Sequence, residues 1–248
     1  MDFKLEICTD TVESAVAAQK AGADRIELCS NLIEGGTTPS WGTIATAREN
    51  LTIQLNVIIR PRGGDFLYTT QEIDIMKKDI VMCRDAGVDG VVTGILKQDG
   101  SIDTDSTSML VDLAYPMQVT FHRAFDMCSD PYKGLEDVIN SGAQRLLTSG
   151  QKDKAEEGAE LIAELITQSS GRLIIMPGSG ISDSNIERIA TITGASEFHL
   201  TGRKLIDSAM LFRKEGVKMG GIPTMSEYSR KVADPDLIER VIHILNIF

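Results

Sequence analysis

The sequence predicts a single-domain (β/α)8 barrel of the TIM type, and three observations carry that prediction. Eight short apolar runs alternate with helix-patterned stretches, the alternation that builds a parallel sheet from βα units. One form of helix exit recurs before every second strand: "AGAD", "AGVD", "SGAQ" and "TGAS". Its repetition points to four related double βα units. The length, 248 residues, matches the roughly 250 residues of such a barrel in one domain.

The elements follow in order. The first strand is expected from Lys4 to Cys8. Asp10 is placed to cap the first helix, with Glu13 three residues on completing a capping-box pattern. Val12, Ala15 and Val16 form its apolar stripe, and Gly22 ends it as a left-handed C′ residue does. Gly87, Gly142 and Gly194 repeat that stop. The remaining strands are expected at Arg25 to Cys29, Gln54 to Ile59, Gly90 to Thr93, Gln118 to His122, Arg145 to Leu147, Arg172 to Met176 and Glu197 to Leu200. A doubly wound open sheet is the structural rival. It would place a glycine-rich phosphate loop after the first strand, where "CTDTVES" has no glycine. One domain therefore spans residues 1–248. An irregular segment, about 207–234, precedes a final helix from roughly Asp236 to Ile247. Its glycines and Pro223 read as a long loop with room for a turn of helix.

Composition narrows the function. The net charge is −11, which argues against nucleic-acid and anionic-membrane partners, since both need basic patches. A local positive pocket for an anionic ligand remains compatible with it. No apolar run approaches the ~20 residues of a membrane span, and the start resembles no signal peptide. Cys8, Cys29, Cys83 and Cys128 are scattered, with no CxxC pair. We expect reduced cytoplasmic thiols rather than a disulfide framework.

A barrel of this kind works at the C-terminal ends of its strands, and these ends are polar. In a strand, residues two apart share a face. Glu6 and Cys8 in "LEIC" therefore point one way, as do Glu27 and Cys29 in "IELC". "IIRPRGGDF" adds Arg60, Arg62 and Asp65; "TFHRAFD" adds His122, Arg123 and Asp126; "EFHL" adds Glu197 and His199. Glu6, Glu27, Arg60, His122, Asp126 and His199 are candidate catalytic groups for acid–base work. The alternative is a structural network with Glu6 and Glu27 facing Arg60, because buried charges must be paired.

"PGSGI" and "TGRK" follow the last two strands, where barrels often bind phosphate through backbone N–H groups. Gly178, Ser179, Gly180, Gly202, Arg203 and Arg62 are the candidate anion-binding residues. The alternative is a tight turn, with Ser182 capping the next helix. Neighbouring strands lie about 4.8 Å apart, so Cys8 and Cys29 can approach one soft ion, and Cu(I) prefers thiolates. They can equally be packing residues. Cys83 is expected in a helix core, and Cys128 is a third candidate near the rim.

"EICTDTVESAVAAQKAGADRIELCSNLIEGGTTPS", "IIRPRGGDFLY", "VTFHRAFDM", "RLLTSGQ", "MPGSGI", "EFH" and "EYSRKVAD" together resemble the copper homeostasis protein CutC family over nearly the whole chain. The resemblance implies a TIM-type barrel in the cytoplasm, a role in copper handling with Cu(I) binding, and Cys8 and Cys29 as the copper thiols. It also implies a homo-oligomer, most simply a dimer. Two other readings stand beside it: an enzyme acting on a small anionic or phosphorylated metabolite at the C-terminal face, and a barrel used as an interaction scaffold.

Overall fold

The computed structural model describes residues 3–219 and 226–247. Eight parallel strands alternate with helices: β1 (Lys4–Thr9), α1 (Val12–Lys20), β2 (Arg25–Leu28), α2 (Trp41–Asn50), β3 (Gln54–Ile58), α3 (Thr70–Asp85), β4 (Gly90–Thr93), α4 (Thr104–Ala114), β5 (Gln118–Phe121), α5 (Pro131–Asn140), β6 (Arg145–Thr148), α6 (Ala159–Ser169), β7 (Ile174–Pro177), α7 (Ile186–Thr193) and β8 (Glu197–Leu200). Strands β1 to β7 pair in sequence order, and β8 returns to β1. A parallel bridge from Gly178 to His199 joins the β7 end to β8 and closes the barrel. This excludes the doubly wound rival, whose sheet stays open.

The recurrent glycines end helices as expected. Gly22, Gly87, Gly142 and Gly194 have φ of 93°, 73°, 84° and 67°. A Cβ at Gly87 or Gly194 would meet nothing within 4 Å, so the left-handed backbone, not crowding, selects glycine there. The first cap departs from expectation. Thr11, not Asp10, is extended (φ −140°) and accepts from the Ser14 N–H; Glu13 instead pairs with Arg230 at 2.9 Å. The capping box lies on α3, where Thr69 and Glu72 satisfy each other's backbone N–H. Ser182 is likewise not the cap of α7, which begins after Asn185. Strand β7 starts two residues late because Arg172 is held outside by Glu136, at 2.7 Å.

The irregular segment holds more order than expected. Strand β9 (Arg203–Asp207) pairs antiparallel with β10 (Ser229–Ala233), and α8 (Pro235–Ile247) follows. Part of the expected loop, residues 220–225, lies outside the described residues. The apolar core lies between barrel and helices, where Leu5, Ile7, Ile26, Leu28, Leu55 and Val57 are buried. The opposite strand faces fill the barrel, and on β1 and β2 these carry Glu6, Cys8, Arg25, Glu27 and Cys29.

Candidate functional site

Register sets the site. Glu6 lies level with Arg25 on one side and His199 on the other, and Cys8 lies level with Glu27. Because inward residues recur every second position, at about 3.3 Å per residue, Glu6 sits roughly one layer below Cys8. There it meets Arg25 Nε at 2.5 Å and His199 Nδ1 at 2.8 Å. Arg25 reaches on to Glu197 at 2.7 Å, and Arg145 meets the same carboxylate at 2.7 Å. The expected pairing of Glu6 and Glu27 with Arg60 does not form. Arg25 takes Glu6, while Arg60 donates to the carbonyls of Glu34, Gly36 and Gly64.

Above this layer, Cys8 Sγ lies 3.5 Å from Cys29 Sγ. Ligand atoms of Cys8, Glu27 and His199 all fall within 4.8 Å of one another. The electrostatics follow from these contacts. The Cys29 hydrogen bond draws the Cys8 thiol down to about 5 against its burial, with help from His199. Burial disfavours charge on His199, but hydrogen bonds to Cys8 and Glu6 outweigh it and raise its pKa. Burial alone would raise Glu6; Arg25 and His199 instead hold it down to about 2. Burial and the neighbouring Cys8 push Glu27 well up. The deeper interior pairs Arg25, Arg145 and His199 with Glu6 and Glu197.

A cavity of about 520 Å³ opens over the thiol at the C-terminal mouth. Cys8, Glu27, Arg60, His122, Asp126, Ser179, Gly180, His199 and Arg203 line it. Of the expected site residues, Glu6, Cys29, Arg62, Gly178 and Gly202 are not in its wall. Glu6 lies too deep. Cys29 packs behind Cys8 with Ile58 and Leu32. Arg62 turns outward to Glu72 and Asp65 and stacks over Tyr68. Gly178 makes the closing bridge, and Gly202 accepts the Asp234 N–H.

Two residues of the wall serve as anchors. Asp126 accepts from Thr148 and from the Ser149 and Gln151 N–H groups, and pairs with Arg123 at 2.7 Å. It thereby ties the loop after β5 to the loop after β6. His122 Nδ1 accepts the Ala124 N–H and so starts the 3-10 turn Arg123–Met127. Burial and the nearby Arg60 cation lower His122 to about 3, so the ring is neutral with its proton on Nε2. Cys83 and Cys128 stand apart from the cavity; burial pushes them up to about 12 and about 11.

Sequence reasoning missed Arg25 and Arg145 as interior cations. The signal was present: Arg25 precedes Glu27 and Cys29 at two-residue spacing in "RIELC", which places all three on one strand face.

Known proteins match this chain over most of its length. A CutC family protein from Chromobacterium violaceum is 52% identical over 231 residues, 93% of each chain. The human copper homeostasis protein cutC homolog is 50% identical over 232 residues, covering 94% of this chain and 85% of its own. The solved structure of a CutC protein from Streptococcus agalactiae matches with a TM-score of 0.77 and 34% identity, over 80% of this chain and 98% of its own. The profile of the CutC family itself matches residues 3–204, which takes in all eight barrel strands and the cavity they enclose, and the chain belongs to that family.

Proposed function

We propose that this protein serves copper homeostasis by holding Cu(I) as cargo on Cys8 and Cys29, with His199 as a third donor. The observation that carries the reading is the pair of thiols 3.5 Å apart, with Cys8 in the wall of an open cavity and Cys29 packed behind it. Cu(I) is soft, favours thiolate and imidazole donors and tolerates low coordination numbers. The donor set fits it. One thiol is already drawn toward thiolate, and proton release on binding completes the other. Glu6 engages His199 Nδ1, which leaves Nε2 for the metal in the carboxylate–histidine–metal arrangement. Cys8 in the cavity wall gives the ion a way in, which a carrier needs. The copper homeostasis name of the human relative supports the same role.

Four free cysteines suit a reducing cytoplasm, and no described helix is long and apolar enough to cross a membrane. Exposed apolar side chains after β9, among them Leu211, Phe212 and Met219, favour a homo-oligomer, most simply a dimer. The test is Cu(I) titration of reduced protein against a competing Cu(I) chelator, with native mass spectrometry for stoichiometry and subunit number. We expect one Cu(I) per chain, abolished in Cys8→Ser/Cys29→Ser and weakened in His199→Phe. Unchanged Cu(I) affinity in the double variant would overturn the reading.

A further inference from the structure

Copper binding by thiols leaves most of the cavity unexplained. Three groups in its wall carry hydrogen-bond donors that find no acceptor among the described residues. His122 is 5% exposed and its Nε2 has no partner. Arg60 is 4% exposed; its Nη atoms are bound to carbonyls and its guanidinium also interacts with Tyr68, while its Nε has no hydrogen-bond partner among the described residues. Arg203, at the start of β9, lines the cavity half-buried, and among the described residues no side-chain hydrogen bond or ion pair engages its guanidinium. Phe66 holds the first two in place, with the Arg60 guanidinium 4.9 Å from its ring centre and the His122 ring 5.0 Å from it.

Unsatisfied buried donors are costly and rare, and two of those found among the described residues, on His122 and Arg60, belong to the wall of this one cavity. The acids of the same wall do not balance them. Asp126 is consumed by Arg123 and the loop N–H groups. Glu34 is turned to Asn31. Glu27 faces His199, its carboxylate 3.6 Å from Nε2. The wall also includes Ser179 and Gly180, at φ of 86° and 70°, on the β7 loop where barrel folds take up anions. The chain is strongly acidic overall, so this local excess of donors is not a general surface property.

We propose that the cavity over Cys8 is a binding site for a small oxyanion-bearing metabolite, a carboxylate or a phosphate, held by Arg203, His122 and Arg60. Arg203 supplies the free charge, and His122 is a neutral donor that stays a donor across the physiological range. Arg62 takes no part, because Glu72 and Asp65 occupy it. The site is independent of copper, and the ligand it takes would lie over the Cys8 thiol.

The experiment is calorimetric titration of reduced, copper-free protein with inorganic phosphate and, separately, malonate, in a chloride buffer of constant ionic strength. We expect saturable binding of one of them with a Kd below about 1 mM. Phosphate binding identifies a phosphoryl ligand and malonate binding a carboxylate one. Arg203→Met, on the half-exposed edge of the fold, should weaken binding at least ~10-fold, the effect of losing one charge-assisted contact. His122→Asn keeps an acceptor for the Ala124 N–H and should weaken binding to a similar degree, while Arg62→Met leaves it unchanged. Absence of saturable binding by both probes, or binding that both Arg203→Met and His122→Asn leave intact, would overturn the proposal. Neither outcome bears on the thiol site, which copper titration reads separately.

Discussion

Arg25→Met tests whether the barrel interior is a balanced charge network. Arg25 is 1% exposed and meets Glu6 at 2.5 Å and Glu197 at 2.7 Å. Opposite charges about 4 Å apart interact by roughly 4 kcal/mol at an effective dielectric constant of ~20. Two such contacts offset the several kcal/mol that burying the guanidinium costs. Methionine keeps much of the volume and removes the charge. Glu6 is then left with His199 and Asn56, and Glu197 with Arg145. Removing one partner from a buried pair costs about 3–5 kcal/mol. Each carboxylate here keeps a second cation, so the expected loss is at the lower end, about 3 kcal/mol, read as a fall in the urea midpoint. Glu6→Gln/Arg25→Met should cost less than its two single variants together, by on the order of 1–3 kcal/mol. A loss below about 1 kcal/mol, or simple additivity, would refute the network.

Three further expectations follow from individual residues. His122 has a folded pKa of about 3, below the ~6.5 of an unfolded chain, so unfolded protein takes up the proton first. Its contribution is intact above pH ~6.5 and shrinks as pH falls toward 3, by on the order of 3 kcal/mol; His122→Asn should flatten the urea midpoint against pH over that window, and identical slopes would count against a buried neutral ring. Gly150 has φ of 68° and its Cβ would overlap the Gly158 carbonyl, so Gly150→Ala should lower stability by about 2–3 kcal/mol in thermal melts; a neutral substitution would mean that the loop after β6 can shift freely. Cys83 is fully buried on α3, far from the cavity wall, so Cys83→Ala should reduce stability while the Cu(I) stoichiometry stays at wild-type value; a lost copper equivalent would place a ligand where the fold has none.

Much of the architecture was readable before any coordinates, and the reason is local. Helix exits at Gly22, Gly87, Gly142 and Gly194 depend on backbone conformation within a few residues, so the repeated motif carries them directly. Period-two alternation put Glu6 with Cys8 and Glu27 with Cys29 by strand geometry alone. What failed were choices between near neighbours. Thr11 and Asp10 are both competent caps, and the position where the chain leaves β1 decides between them. The segment after β8 pairs with a strand more than twenty residues later, and neither half has a strong pattern of its own.

The sequence by itself determined that there is a barrel, which strand faces turn inward, and that two thiols and two acids share the inner face of the first two strands. It could do so because strand period and glycine conformation act over short distances along the chain. Only the tertiary structure decided how those groups are used. Closure brings Glu197 across 172 positions to Arg25 and His199 across 193 to Glu6, so the two acids part company. Glu6 becomes a buried anchor for cations, and Glu27 stays by the thiol in the cavity wall. The same closure separates three arginines that look alike in sequence. Arg62 is bound outside, Arg60 is mostly bound to carbonyls, and Arg203 lines the cavity with a guanidinium that no described side chain engages. Side-chain partnership across a closed barrel depends on stagger and register between distant strands, and no local pattern encodes that.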